Sequence, residues 1–189
     1  MISLFMPSDT QIKVFLDRQR IQSITYGDAG FTQRSCPLEF DRDHNRIELG
    51  RGLDVFRRAC DAISQWRMFP KEWTAIRPET PRLEVGSDIA MLAHLFGVWW
   101  WNACRIMYLV DDLEQTRTFG FAYGTLPSHV EMGEERFMVE LDNEGVVWYD
   151  ILAYSRPRHP LVRLMYPLAR KMQRRFVRDS QSAMRLACS

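Results

Sequence analysis

Apolar residues recur at helical spacing in two segments of the N-terminal third of the chain. Ser8 and Gln11 have the spacing of a capping box, and the apolar residues that follow share one face, which predicts a short first helix. A second amphipathic helix is predicted over residues 53–67. Between them, residues 31–46 are mostly polar and predict a surface loop, which a short strand over residues 46–49 follows.

After residue 73 the hydrophobic period changes to two, which is the period of strands with one buried face. In the segment 118–126, aromatic residues alternate with Gly120, Ala122 and Gly124, so one face of that strand carries only small residues. Such a face leaves room for the close approach of a helix or for a ligand. The six predicted strands cover residues 73–77, 87–96, 99–110, 118–126, 134–141 and 146–154.

The last predicted element is a long amphipathic helix over residues 160–186. Leu168, Met172 and Phe176 mark its apolar stripe, and basic residues occupy much of the remainder. Pro167 is expected to kink or restart this helix, because proline removes one backbone N–H and clashes with the preceding turn. A sheet of six strands has a face that must be covered, and this helix has the apolar surface to cover it. The order of elements therefore predicts an α+β fold in which a curved antiparallel sheet wraps around the C-terminal helix.

The composition is that of a folded globular domain. The chain has 189 residues, of which 46% are hydrophobic and 26% charged, and this excludes general disorder. The formal net charge of +1 is unevenly distributed: residues 156–189 carry nine basic side chains and one acid, Asp179, whereas the first 155 residues carry 16 basic and 23 acidic side chains. A near-neutral domain is not typical of nucleic-acid binding, and we expect no nucleic-acid partner.

The cysteines and the apolar runs bear on location. Cys36, Cys60, Cys104 and Cys188 are widely spaced and show no zinc-type pattern, which favours reduced thiols and a cytoplasmic location. The longest apolar run, residues 89–101, is shorter than the roughly 20 residues that a membrane span needs. We therefore expect no integral membrane segment.

Several strings in the sequence resemble those of a bacterial and plant family known as domain of unknown function nineteen-ninety. They are Gly50-Arg51-Gly52, Phe119-Gly120-Phe121-Ala122-Tyr123-Gly124-Thr125-Leu126-Pro127, Gly133-Glu134-Glu135-Arg136-Phe137, Trp148-Tyr149-Asp150-Ile151-Leu152-Ala153 and Ser155-Arg156-Pro157-Arg158-His159-Pro160.

The family's layout is in turn similar to the START-domain superfamily of helix-grip proteins, which bind lipids and other apolar ligands and include some cyclases. The resemblance implies a helix-grip domain over residues 46–189, with residues 1–45 as an N-terminal helical arm and loop packed on it. It supplies no catalytic residues, because fold does not fix function.

The leading functional hypothesis is a cavity between sheet and helix that binds a small apolar or amphipathic molecule. Ligand sites combine apolar walls with a few placed polar groups, and the aromatic strands offer both. We expect no cofactor and no metal. The candidate ligand-binding residues are Trp101, Asn102, Phe121, Tyr123, Glu135, Phe137, Tyr149 and Ile151.

A second hypothesis is a cyclase- or hydratase-like enzyme, and the sequence leaves its catalytic residues unknown. An inward Glu135 or Asp150 with Tyr123 or Tyr149 would be its acid–base pair. The favoured alternative for these carboxylates is a structural network with an arginine such as Arg105 or Arg136, because inward charges need partners.

A third hypothesis is an interaction module that docks its basic helix on an anionic membrane or an acidic partner. Peripheral membrane contact and the oligomeric state stay open. His129, Glu131, Glu134 and Glu135 lie close together in sequence, but they are expected to form a solvated acidic loop because a metal site needs three or four convergent ligands.

Overall fold

The computed structural model describes residues 1–34, 38–79 and 81–189 of the chain, so Cys36 lies outside the described residues. In chain order, the elements are β1 (Ile2–Ser3), α1 (Asp9–Gln19), β2 (Asp41–Arg51), α2 (Leu53–Ser64), β3 (Thr74–Arg77), β4 (Asp88–Leu95), β5 (Val98–Asp112), β6 (Thr118–Thr125), β7 (Glu131–Leu141), β8 (Val146–Pro157), α3 (Pro160–Leu164) and α4 (Tyr166–Cys188).

The strands form one antiparallel sheet in the order β2-β8-β7-β6-β5-β4-β3. The short strand β1 pairs with β5 beyond the end of β6, where Ile2 lies opposite Trp100. Register shifts interrupt β2 between Glu48 and Gly50 and β5 between Ile106 and Tyr108. Bulges of this kind bend a strand and increase its twist, which curves the sheet.

The concave face of the sheet packs against α2 and α4. Phe56 and Ile63 of α2, Phe121 and Phe137 of the sheet, and Met184 of α4 belong to one buried core. This arrangement confirms the predicted α+β helix-grip fold. The predicted restart of the last helix is also confirmed: α3 ends at Leu164, and α4 begins at Tyr166, with a proline in its first turn.

The convex face of the sheet is covered by the N-terminal residues. The capping box is present, since the N–H of Gln11 donates to Ser8 Oγ and the N–H of Ser8 donates to Gln11 Oε1. Helix α1 buries Ile12 and Phe15, and the Phe15 ring meets the ring of Trp101 edge to face at 5.5 Å. The sheet therefore has apolar packing on both faces.

Two expectations from the sequence were wrong. Residues 41–46 are not loop but the first half of the eleven-residue strand β2, which pairs with β8 along its length. The small-residue face of β6 does not receive the C-terminal helix: a Cβ at Gly124 would overlap the hydroxyl of Tyr26, which belongs to the N-terminal segment on the convex face. The room on that face is filled by the arm.

None of the helices among the described residues is both long enough and apolar enough to span a bilayer.

Candidate ligand cavity

A cavity of about 700 Å³ lies between the concave face of the sheet and the helices α3 and α4. This volume is within the range of roughly 300–1,000 Å³ that is usual for small-molecule sites. Its walls are mostly apolar. The apolar lining includes Met91, Ala93, Ile151, Leu168, Met172 and Phe176.

The two ends of α4 differ in how closely they meet the rest of the fold. At its C-terminal end, Met184 and Cys188 are buried in the core that α2 shares, and the Arg58 guanidinium donates to the Cys188 carbonyl at 2.9 and 3.0 Å. Helix α2 thus fills one end of the concave face. The cavity remains at the other end, under α3 and the first half of α4, where no such helix fills the space.

Exposed apolar residues surround part of the cavity rim. Phe96, at the turn between β4 and β5, is 68% exposed, and Leu161 and Met165 at the start of the helical segment are each 50% exposed. These three residues also line the cavity, so they mark a mouth through which it meets solvent.

The first polar group in the cavity is a carboxyl–phenol pair. The Tyr123 hydroxyl donates to Glu135 Oε2 at 2.5 Å. Burial raises the pKa of Glu135 to about 7, with a smaller contribution from the neighbouring Glu131 and an opposing one from the Tyr123 hydrogen bond. Burial also raises the pKa of Tyr123 well above its ordinary value. Near neutral pH this pair can therefore hold or release a proton.

The second polar group connects the sheet to α4. The Arg170 guanidinium donates to both carboxylate oxygens of Asp43 and also to Gln173 Oε1 at 2.7 Å. The Gln173 amide nitrogen in turn donates to Glu131 Oε1 at 2.6 Å. Burial raises the pKa of Glu131, and the bond from Gln173 opposes that shift. This chain of contacts fixes the side chains that face the cavity from β2, β7 and α4.

A third group is made of neutral donors and acceptors. Burial lowers the pKa of His129 to about 4, so its ring is uncharged at neutral pH. His129 Nδ1 lies 3.0 Å from the backbone nitrogen of Glu131 and 3.1 Å from its carbonyl oxygen, so the backbone of Glu131 holds the ring in place. Asn102 Oδ1 accepts from the N–H of Val130 at 3.2 Å. Among the described residues, the buried Nε1–H of Trp100 has no acceptor.

Four of the eight candidate ligand-binding residues line the cavity, namely Asn102, Tyr123, Glu135 and Ile151. The other four do not. Trp101 lies on the convex face, where its indole N–H donates to Ser3 Oγ at 2.8 Å. The other three, Phe121, Phe137 and Tyr149, are on the concave face but in the core that α2 and α4 fill.

Several cavity residues were not among the sequence candidates. Asp43 was placed in a loop, and His129 and Glu131 were expected in a solvated acidic loop, whereas all three line the cavity. The alternation of burial in β2 extends from Leu49 back to Asp41, but residues 41–46 are all polar, so the sequence carries no hydrophobic alternation there. No local signal places Arg170 or Gln173 opposite β7.

Adjacent carboxylates on β7 have different roles. Glu134, 2% exposed, faces the convex side and accepts hydrogen bonds from Tyr26, Gly30 and Thr32 of the arm. Glu135, one residue later, faces the cavity and bonds to Tyr123 rather than to an arginine. The expected structural network therefore does not include Glu135.

The expected network does form around Asp150. Its Oδ1 accepts from Arg136 at 2.9 Å, and its Oδ2 lies 2.6 Å from His44 Nε2. Arg105 pairs instead with Asp88, at 2.6 Å. Asp150 is buried and neutralised on the convex side of the sheet, so it is not available as an acid–base partner in the cavity.

An antiparallel sheet folded around a C-terminal helix, with a lined cavity between them, defines a helix-grip protein. The family model described as "Domain of unknown function (DUF1990)" matches residues 25–183, and the chain belongs to this family.

Two relatives agree with that assignment, and a solved structure shares the fold. A UPF0548 protein of Dictyostelium discoideum is 34% identical over 94% of this chain and 91% of its own length. A UPF0548 protein of Deinococcus radiodurans is 34% identical over 94% of both chains. The crystal structure of the hypothetical protein jhp0584 from Helicobacter pylori superposes with a TM-score of 0.61, covering 88% of this chain and 99% of that one, at 10% identity. That last similarity concerns the fold alone.

Proposed function

We propose that this protein binds a small amphipathic molecule in the cavity between the sheet and α4. The observation that carries the proposal is an apolar cavity of about 700 Å³ whose wall includes a few polar side chains, among them the bonded pair Tyr123 and Glu135. Apolar walls favour burial of a hydrocarbon or ring system, and a few placed polar groups orient it. The exposed apolar mouth at Phe96, Leu161 and Met165 provides the path of access.

Titration with Nile red, a neutral apolar fluorophore, tests this proposal without knowledge of the natural ligand. We expect enhanced, saturable fluorescence from the wild-type protein. Ala153→Phe should weaken that binding at least tenfold, because Ala153 lines the cavity on β8 and a phenyl ring there would occupy the space. Val14→Phe is the matched control, since Val14 is exposed on α1.

Two outcomes would overturn the proposal: no saturable binding, or equal weakening by Ala153→Phe and Val14→Phe. Native mass spectrometry of the purified protein complements the titration, since a retained small molecule would appear as a mass above that of the chain. Extraction of that small molecule from the purified protein would then allow its identification.

A second candidate function is acid–base catalysis on the bound molecule, of the cyclase or hydratase kind. It is favoured by the contact of 2.5 Å between Tyr123 and Glu135 inside the cavity, because a carboxyl group with a pKa of about 7 can both accept and donate protons at neutral pH. The test is chromatography of the extracted ligand after incubation with wild-type protein and with Glu135→Gln. A product formed by the wild type alone supports catalysis, whereas no change in either sample contradicts it.

A further inference from the structure

Resting on the proposed ligand binding, we infer that the ligand carries a cationic amine head group, bound by Glu135 at the acidic end of the cavity, where the charge of Glu131 also favours a cation. The acidic side chains that face the cavity outnumber the cationic groups that neutralise them.

Four acidic residues line the cavity, but the carboxyl group of Glu134 is bonded to the arm on the convex side. The other three carboxyl groups face the cavity: Asp43 from β2, and Glu131 and Glu135 from β7. Asp43 is neutralised by Arg170. Glu131 and Glu135 have only uncharged hydrogen-bond donors, the amide of Gln173 and the hydroxyl of Tyr123. Throughout the described part of the chain, no lysine, arginine or histidine forms an ion pair with either. A buried carboxylate is stabilised by several hydrogen-bond donors or by a cation, or else it takes up a proton. Glu131 and Glu135 each have a single donor and no cation, whereas Glu134 accepts four hydrogen bonds.

The free oxygens of these carboxyl groups face the empty space. Tyr123 occupies Oε2 of Glu135, and among the described residues nothing bonds its Oε1. This oxygen keeps accessible surface although protein surrounds Glu135, because the side chain faces the cavity. The Glu131 carboxyl is in the same situation: Gln173 donates to its Oε1, and among the described residues nothing bonds its Oε2. An ammonium group has three N–H donors and a positive charge, and it would satisfy both requirements.

The remaining charged and titratable groups near Glu135 do not supply the missing cation. His129 is neutral, and Cys104 and Tyr149 pack around the carboxyl as uncharged groups. Arg170 is bonded to Asp43, and its charge also lowers the pKa of Glu131, so Glu135 is the carboxyl group without a cation nearby. Arg174 and Arg178 are exposed on α4 at the cavity rim, where water screens them. A ligand with a carboxylate head would add a further negative charge beside Glu131 and Glu135, and we expect the cavity to reject it.

Displacement of Nile red by three probes of equal chain length tests the inference: dodecylamine, dodecanol and dodecanoate, each below its micelle concentration. At pH 8 we expect the amine to displace Nile red at a concentration at least tenfold lower than dodecanoate, with dodecanol between them. Because an ammonium group pairs with ionised Glu135, amine affinity should rise with pH. Between pH 6 and pH 8 the ionised fraction of a carboxyl with a pKa of about 7 rises from about one-tenth to about nine-tenths, so the amine should bind close to tenfold more tightly at pH 8.

Glu135→Gln keeps the shape of the side chain and removes its charge. We expect this variant to lose both the preference for dodecylamine and its pH dependence, while dodecanol binds as before. Glu131→Gln should weaken amine binding in the same direction. Glu140→Gln is the matched control on β7, because Glu140 pairs with Arg46 outside the cavity.

The outcomes separate the two proposals. If Nile red does not bind wild-type protein, the proposed ligand binding itself fails. If Nile red binds but dodecanol or dodecanoate displaces it as well as the amine does, or if Glu135→Gln leaves the amine preference intact, the cationic head group is wrong while the cavity remains a ligand site. Urea midpoints of the variants identify any that fail to fold, and Glu131→Gln then provides the independent reading.

Discussion

Replacing Glu134 by alanine tests how the N-terminal arm is held on the convex face of the sheet. The buried carboxylate accepts four hydrogen bonds from one short segment of the arm. The donors are the Tyr26 hydroxyl at 2.7 Å, the Gly30 N–H at 2.8 Å, the Thr32 N–H at 2.9 Å and the Thr32 hydroxyl at 2.6 Å. The same segment is also bonded to the sheet by Thr25, which contacts Thr125, and by Thr32, which contacts Tyr108 and Arg136.

The expected cost follows from these four bonds. Each buried donor that loses its acceptor costs about 1–3 kcal/mol, so an arm that stayed in place would lose more than any single bond contributes. The arm avoids part of this cost by detaching, which exposes its donors to water. We therefore expect Glu134→Ala to reduce the free energy of unfolding by about 3–5 kcal/mol, more than the roughly 1.5–3 kcal/mol of one hydrogen bond to a charged group and less than the sum of four.

Urea denaturation followed by circular dichroism measures this loss, and limited trypsin digestion locates it. Glu134→Ala should lower the urea midpoint and speed cleavage after Arg20 and Arg34, which flank the anchored segment. Tyr26→Phe removes one of the four bonds and should cost about 1 kcal/mol. Glu140→Ala, on the same strand and paired only at the partly exposed surface with Arg46, should cost within about 1 kcal/mol.

Equal midpoints and equal cleavage patterns for Glu134→Ala and Glu140→Ala would refute the reasoning.

The division into an arm of residues 1–45 and a domain of residues 46–189 remains a proposal. Because β2 begins at Asp41, the boundary is better placed before that residue.

Four other outcomes are expected. Phe176→Ala should reduce the free energy of unfolding, measured by urea denaturation, by about 2–3 kcal/mol. This is below the roughly 3–5 kcal/mol for a fully packed ring, because Phe176 also lines the cavity. Arg174→Ala should stay within about 0.5 kcal/mol, and equal urea midpoints for the two variants would contradict the assigned helix faces. Asp150→Ala should cost about 3–5 kcal/mol, because it leaves the half-buried Arg136 without its carboxylate, and a neutral result would show that the network is dispensable. The raised pKa of Glu135 means that the folded protein holds this proton more tightly than the unfolded chain does, so stability should fall as pH rises from about 4.5 to about 7, and Glu135→Gln should flatten that slope. If the basic face of α4 docks on membranes, the protein should float with anionic vesicles at low salt and not at high salt, and no flotation at either would remove that hypothesis.

The element types of this protein follow from local patterns in the sequence. Strands β3 to β8 and helices α1, α2 and α4 were predicted because hydrophobic period and capping are properties of neighbouring residues. The restart of the last helix at Pro167 is local for the same reason. Residues 41–45 were missed because their inward positions are polar, and a polar strand lining a cavity has the composition of a loop.

The orientation of the strands relative to their neighbours is not local. Alternation separates Glu134 from Glu135, but it does not say which of them faces the arm and which the cavity. That choice depends on Tyr26 and Thr32 reaching across more than 100 residues to β7. For the same reason the sequence predicted Trp101 in the cavity, whereas in the structure it packs with Ile12 and Phe15 of α1 on the convex face.

Which residues of the concave face line the cavity was also decided only by the tertiary structure. Phe121, Phe137 and Tyr123 share one face of the sheet, but only Tyr123 lines the cavity. Helix α2 fills the space beside the other two and leaves the far end of the sheet open under the first half of α4. The extent of that open end is set by how two helices pack on a curved sheet, which no pattern of residues along the chain records.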